Sequence, residues 1–126
     1  MTQNFIEHVN ITVSNPDRTA DFLMRVFDWH VRWRGLAANG GSTIHVGNAQ
    51  FYLALYALEL GRTEPANYRK GMPLNHIGIV VDDLDEVERR VVAESYEPSS
   101  HDDYDPGKRF YFFDHDGIEF EIVSYA

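Results

Sequence analysis

The 126-residue sequence predicts an α+β fold built from two βαβββ repeats. The first observation behind this is an internal duplication: Ile6-Glu7-His8-Val9-Asn10-Ile11-Thr12-Val13 recurs 68 positions on as Leu74-Asn75-His76-Ile77-Gly78-Ile79-Val80-Val81. The second is that each copy is followed by an acidic turn and a stretch with apolar residues at helical spacing. The third is that each half closes with alternating apolar runs broken by tight-turn residues, the mark of hairpins. One such half leaves an apolar or ligand-binding face uncovered, so two must cover each other, within a chain or between chains. A homodimer is the expected assembly.

The first element is a strand carrying Val9, Ile11 and Val13 on one face, with His8 on the other. Ser14-Asn15-Pro16-Asp17 then supplies an N-cap, a proline for the first helical position and an early acid that suits the helix dipole. Ala20, Leu23, Met24 and Phe27 predict one apolar helical stripe ending near Asp28-Trp29. Val31 and Trp33 alternate with Arg32 and Arg34 as a strand; Thr43 to Val46 and Gln50 to Tyr56, joined by Gly47-Asn48, form a hairpin.

The second half repeats this order. A strand from Asn75 to Val81 meets an Asp82-Asp83 cap, and a helix carries Leu84, Val87 and Val91 on one side. A weak strand is expected around Tyr96. Arg109 to Phe113, the turn Asp114-His115-Asp116-Gly117 and Ile118 to Tyr125 make the last hairpin. Gly61, Pro65, Gly71 and Pro73 break up the segment between the copies. The chain is thus read as one domain over 1–126, with repeat one at about 5–57, a linker at about 58–73 and repeat two at about 74–126.

Composition bounds the function. At 44% apolar residues, a chain of this size buries roughly two thirds of its unfolded surface and needs no covalent staple. Without cysteine there are no disulfides and no thiolate ligands, so any metal must be held by nitrogen and oxygen. The opening Met1-Thr2-Gln3-Asn4-Phe5 has no signal-peptide character, and no apolar run approaches the roughly 20 residues of a membrane helix. A cytoplasmic protein is expected. Eleven basic against twenty acidic side chains, a formal charge of −9, repel phosphate backbones and anionic lipid, which argues against nucleic acid and membrane partners.

The chemistry-bearing residues follow from the duplication. His8 and His76 stand in register in the two copies, and Glu121 lies in the alternating run Ile118-Glu119-Phe120-Glu121-Ile122-Val123. Two imidazoles and a carboxylate on strands make His8, His76 and Glu121 a candidate metal triad, since an unpaired carboxylate facing the interior would otherwise be costly. Glu119 is a same-face neighbour; His30, His45 and His115 are read as structural. Trp33, Tyr52 and Tyr56 are candidates for lining a cavity, and Lys108 or Arg109, beside Asp105-Pro106-Gly107, for meeting an anionic substrate.

The paired openings Glu7-His8-Val9 and Asn75-His76-Ile77, the tail Phe112-Phe113-Asp114-His115-Asp116-Gly117-Ile118-Glu119-Phe120-Glu121, and the duplicated element order resemble the vicinal-oxygen-chelate superfamily. That group includes glyoxalase I, extradiol dioxygenases, methylmalonyl-CoA epimerase, and fosfomycin and bleomycin resistance proteins. The resemblance implies cupped mixed sheets and a metal site fed by the first and last strand of each repeat. His8, His76 and Glu121 match three of its ligand positions. Aligning Phe51-Tyr52-Leu53 with Phe120-Glu121-Ile122 puts Tyr52 at the fourth, where glyoxalase I and the epimerase offer Glu or Gln; Gln50 shares that face.

Two imidazoles and one carboxylate suit Fe(II) first, with Mn, Ni, Zn or Co as alternatives. The ligand set is similar to that of extradiol dioxygenases, which implies an oxidoreductase acting on a small vicinal-oxygen substrate, with His101, Tyr104 and Tyr52 as candidate catalytic acids or bases. The alternatives are a glyoxalase-like or epimerase-like lyase or isomerase, and a metal-free small-molecule binding protein resembling the bleomycin-sequestering members.

Overall fold

The computed structural model describes residues 5–37, 41–57, 74–104 and 107–126, the side chains of 103 and 104 excepted. The expected linker therefore lies outside the described residues, as do Asp105 and Pro106. The chain divides into two compact units, 1–68 and 69–126.

The first unit holds β1 (His8–Thr12), α1 (Pro16–Phe27), β2 (His30–Leu36), β3 (Ser42–Gly47) and β4 (Tyr52–Ala57). Its sheet runs β1-β4-β3-β2, with β1 parallel to β4 and the remaining pairs antiparallel. The helix begins where the sequence places it, because the Asn15 side chain accepts the Arg18 N–H at 3.1 Å and Pro16 occupies the first turn. It ends at Asp28, whose backbone is left-handed (φ 60°) and whose N–H reaches the Met24 carbonyl. The buried stripe is rotated from the expected one: Pro16, Thr19, Ala20, Leu23 and Val26 are buried with Phe22, while Met24 and Phe27 sit at its margin. Leu23 and Val26 each gain roughly 1.5–3 kcal/mol from full burial.

The helix packs on β3 and β4. Ile11, Ile44, Val46, Leu53 and Leu55 form the buried face beneath it. Strand alternation then sends His8, His45, Tyr52 and Tyr56 to the opposite face, where β1 and β4 pair His8 with Tyr52. In the β3–β4 turn, Asn48 Oδ1 accepts the N–H groups of Gln50 and Phe51. A Cβ on Gly47 would lie 2.1 Å from the Phe51 carbonyl oxygen, so only glycine lets the two strands approach here.

The second unit holds β5 (Ile77–Val80), α2 (Leu84–Ala93), β6 (Ser99–Tyr104), β7 (Gly107–Phe113) and β8 (Glu119–Ser124), ordered β5-β8-β7-β6. The parallel pair is again the first strand with the last. Asp83 caps α2 by accepting the Glu86 N–H, and Val87 and Val91 are buried. Phe110, Phe112, Phe120 and Ile122 form this unit's core.

The weak strand expected around Tyr96 is corrected to Ser99–Tyr104. Tyr96 itself stacks on Phe112, and its hydroxyl lies 2.6 Å from His115 Nδ1. β7 begins at Gly107, two residues before the expected start at Arg109. The final hairpin turn is held by Asp114 Oδ1, which accepts the N–H groups of Asp116 and Ile118 at 2.9 Å each, and by Gly117 at φ 76°. No helix among the described residues is long and apolar enough to cross a membrane.

Candidate metal centre

The two repeats treat their histidines alike. In the first unit His8 Nδ1 lies 2.9 Å from Glu7 Oε1; in the second, His76 Nδ1 lies 2.7 Å from Asn75 Oδ1. Both partners are acceptors, so each imidazole presents its Nδ1–H to the residue before it, and in the neutral ring the lone pair is then on Nε2. This is how an orienting partner fixes the tautomer of a metal-ligating histidine.

In the second unit, β8 carries Glu121 beside His76. Its Oε1 is 2.9 Å from His76 Nε2, and its Oε2 is 2.8 Å from Arg109 Nη1. The Glu121 and Arg109 side chains are 12% and 13% exposed, so the carboxylate is largely withdrawn from water and its charge is paired. Tyr111, the cross-strand partner of Glu121, meets His76 edge to face. With Nδ1–H directed at Asn75, the Nε2 lone pair and a carboxylate oxygen face one another at 2.9 Å. Two acceptors hold that position only around a proton or a metal cation, and the nitrogen–oxygen donor set suits a divalent ion.

The corresponding face of the first unit is aromatic. His8 stacks on Tyr52 at 4.9 Å, Tyr52 on His45 at 4.4 Å, and His45 contacts Trp33 at 5.1 Å between ring centroids. The Arg32 guanidinium lies 4.6 Å over the Tyr52 ring, a cation–π contact. The hydrogen bond from His8 holds the Glu7 carboxyl below its ordinary pKa. Desolvation, followed by the charge of Glu7, pushes the Tyr52 phenol up, so it stays protonated at neutral pH. Desolvation lowers the pKa of His45, followed by the nearby charges of His8 and Arg32, which favours its neutral form.

Register revises the alignment of the two last strands. Val9 pairs with Leu53 and Ile77 with Phe120, so Leu53 corresponds to Phe120 and Ala54, not Tyr52, to Glu121. Tyr52 corresponds to Glu119. The face is retained but the residue moves by two, and the first unit presents a buried alanine, Ala54, where the second has Glu121. Gln50 lies in the turn before β4, not on the strand.

Other expected site residues divide cleanly. Trp33 and Tyr56 share the His8 face with Tyr52, and Arg109 joins Glu121. His101 does not: it stacks on Phe110 and its Nε2 is 2.9 Å from Glu88 Oε1 of α2, on the helix side of the sheet. Ser100, at φ 53°, adds one residue between the Ser99–Tyr111 and Asp102–Arg109 pairs, and this bulge turns His101 over. Lys108 alternates to the face opposite Arg109 and is exposed. The side chain of Tyr104 lies outside the described residues. Among the described residues, no three His, Asp or Glu side chains form a metal-binding group. Sequence reading missed Glu7, Asn75, Arg32, His45 and Tyr111. Only Glu7 and Asn75 carried a signal, an acceptor side chain directly before each duplicated histidine.

The profile of the Glyoxalase/Bleomycin resistance protein/Dioxygenase superfamily matches residues 5–122. The chain belongs to this superfamily. Its fold is shared with solved members of the same superfamily. A glyoxylase/bleomycin resistance protein/dioxygenase domain from Frankia sp. EAN1pec is 22% identical, with a TM-score of 0.79 over 98% of each chain. A glyoxalase family protein from Enterococcus faecalis is 21% identical, with a TM-score of 0.72 over 94% of this chain and 96% of its own. The genomically encoded fosfomycin resistance protein FosX from Listeria monocytogenes, complexed with Mn(II) and sulfate, is 18% identical, with a TM-score of 0.71 over 98% of this chain and 93% of its own. No protein of curated function matches the sequence closely.

Proposed function

We propose that this superfamily member is a divalent-metal-dependent enzyme acting on a small molecule through two neighbouring oxygens, with His8, His76 and Glu121 as ligands. The observation that carries the reading is the repeated anchor. Glu7 and Asn75 each accept the Nδ1–H of the next residue, leaving both histidines with Nε2 as the ligating nitrogen. A histidine that only fills space has no need of a fixed tautomer, and here the same device occurs at both duplicated positions. With alanine at the fourth position, the ligand set stays at two imidazoles and one carboxylate.

A bound ion of this class supplies Lewis-acid polarisation and a template for the substrate oxygens. The chain's own groups supply the rest. Tyr52, kept protonated, is positioned beside His8 to donate a proton or hydrogen bond. Trp33, His45 and Tyr52 form a wall for a flat or apolar portion of the substrate, with Tyr56 further along the same face. Non-oxidative chemistry is the reading we favour. The manganese complex of the fosfomycin resistance neighbour supports it, and so does the loss of His101 as an acid or base.

The second reading is extradiol-type dioxygenation with Fe(II), favoured by the composition of the ligand set. Protein loaded anaerobically with Mn(II) or Fe(II) separates the two. We expect turnover of a small oxygen-rich substrate without oxygen uptake, screened by NMR with fosfomycin among the probes and abolished in His76→Ala. Oxygen consumption with a catechol would establish the second reading. Small-molecule binding that is indifferent to metal and to His76→Ala would contradict both. The homodimer belongs to the same proposal, and a light-scattering mass near 14.5 kDa would remove it.

A further inference from the structure

Arg109 stands out among the groups around Glu121. It was expected to face an anionic substrate, yet its Nη1 lies on Glu121 Oε2 at 2.8 Å, and both side chains are nearly withdrawn from solvent. Strand register produces the contact. Tyr111 pairs with Glu121 and Arg109 with Val123, so Arg109 sits diagonally across from Glu121 on the same face, within reach of a long side chain. The two carboxylate oxygens are thereby divided: Oε2 accepts from the guanidinium, while Oε1 is left 2.9 Å from His76 Nε2.

We propose that Arg109 is a positioning residue that makes Glu121 a one-oxygen ligand, holding Oε2 so that Oε1 alone is offered beside His76. This rests on the metal-ligand reading above. A guanidinium N–H, always charged and held in a planar group, donates to the one carboxylate oxygen it meets more directionally than an ammonium does. A carboxylate with both oxygens on one cation occupies two coordination positions; held to one oxygen, it leaves another position for substrate. The opposing account makes Arg109 a competitor whose positive charge merely fills the metal's place. The two accounts predict opposite signs for its removal.

The test is Mn(II) affinity by calorimetry, together with the number of exchangeable waters on bound Mn(II) from oxygen-17 relaxation, in wild type, Arg109→Gln, Arg109→Lys and Glu121→Gln. We expect Arg109→Gln to weaken Mn(II) binding by about tenfold, the lower bound for loss of a ligand-orienting partner. We also expect it to lose bound water as the freed Oε2 turns to the ion, and Arg109→Lys to recover part of the affinity. If Arg109→Gln does not fold, Arg109→Lys alone decides, with a severalfold loss expected. Unchanged or tighter binding with unchanged hydration in the folded Arg109 variants would overturn the proposal while leaving the ligand set standing. Failure of the wild type to bind Mn(II) more tightly than Glu121→Gln would overturn both.

Discussion

Individual side chains set the chemistry here through their partners more than through their identity. His8 and His76 are legible from the duplicated sequence, but their common tautomer is not, because it depends on which way Glu7 and Asn75 turn. Asp114 makes a separate residue-scale prediction. It is buried, one carboxylate oxygen accepts two backbone N–H groups, and Oδ2 has no hydrogen-bond partner among the described residues. Burial raises its pKa above the ordinary value, against the opposing pull of those hydrogen bonds. The folded chain therefore holds this proton to higher pH than the unfolded chain does. Between the two pKa values the folded state binds more protons, so this group's contribution to stability falls as pH rises through that window. Asp114→Asn keeps the acceptor oxygen and removes the titration. Its urea midpoint relative to the parent should rise between about pH 4 and neutrality. A difference independent of pH would contradict the assignment.

At the scale of elements, most of the fold was legible because alternation and caps are local signals. Both helices start at the side-chain caps the sequence provides, Asn15 and Asp83. The strands that carry the histidines were marked by apolar alternation. β6 was not, since Ser99-Ser100-His101-Asp102-Asp103-Tyr104 has no apolar residue to betray a strand before its Tyr; it is ordered by pairing with β7. The misplacement of His101 and the two-residue error at Tyr52 share a cause. A bulge at Ser100 and the register of β4 are set by partner strands distant in sequence. The β3–β4 hairpin gives the test at this scale. Gly47→Ala places a Cβ against the Phe51 carbonyl and must force the strands apart. A loss of about 1–3 kcal/mol is expected in chemical denaturation, the range for overpacking at a close approach. A loss below about 0.5 kcal/mol would show that the turn relaxes freely.

At the scale of the whole molecule, the duplication does two jobs. It gives each unit a parallel first-and-last strand pair, and it places one anchored histidine at the start of each copy. The fold and superfamily were legible from that repeat together with the duplicated element order and the tail Phe112 to Glu121. The reaction was not, because the superfamily hosts many chemistries on one scaffold and the deciding groups lie on registers that no local pattern displays. The ligand set is the claim on which the rest depends, and metal content tests it most directly. Purified, untagged protein and His76→Ala would be loaded with Fe(II), Mn(II), Ni(II) or Zn(II), desalted, and compared by elemental analysis. The account predicts near-stoichiometric metal in the parent and its loss in the variant. Equal, negligible metal in both would contradict it.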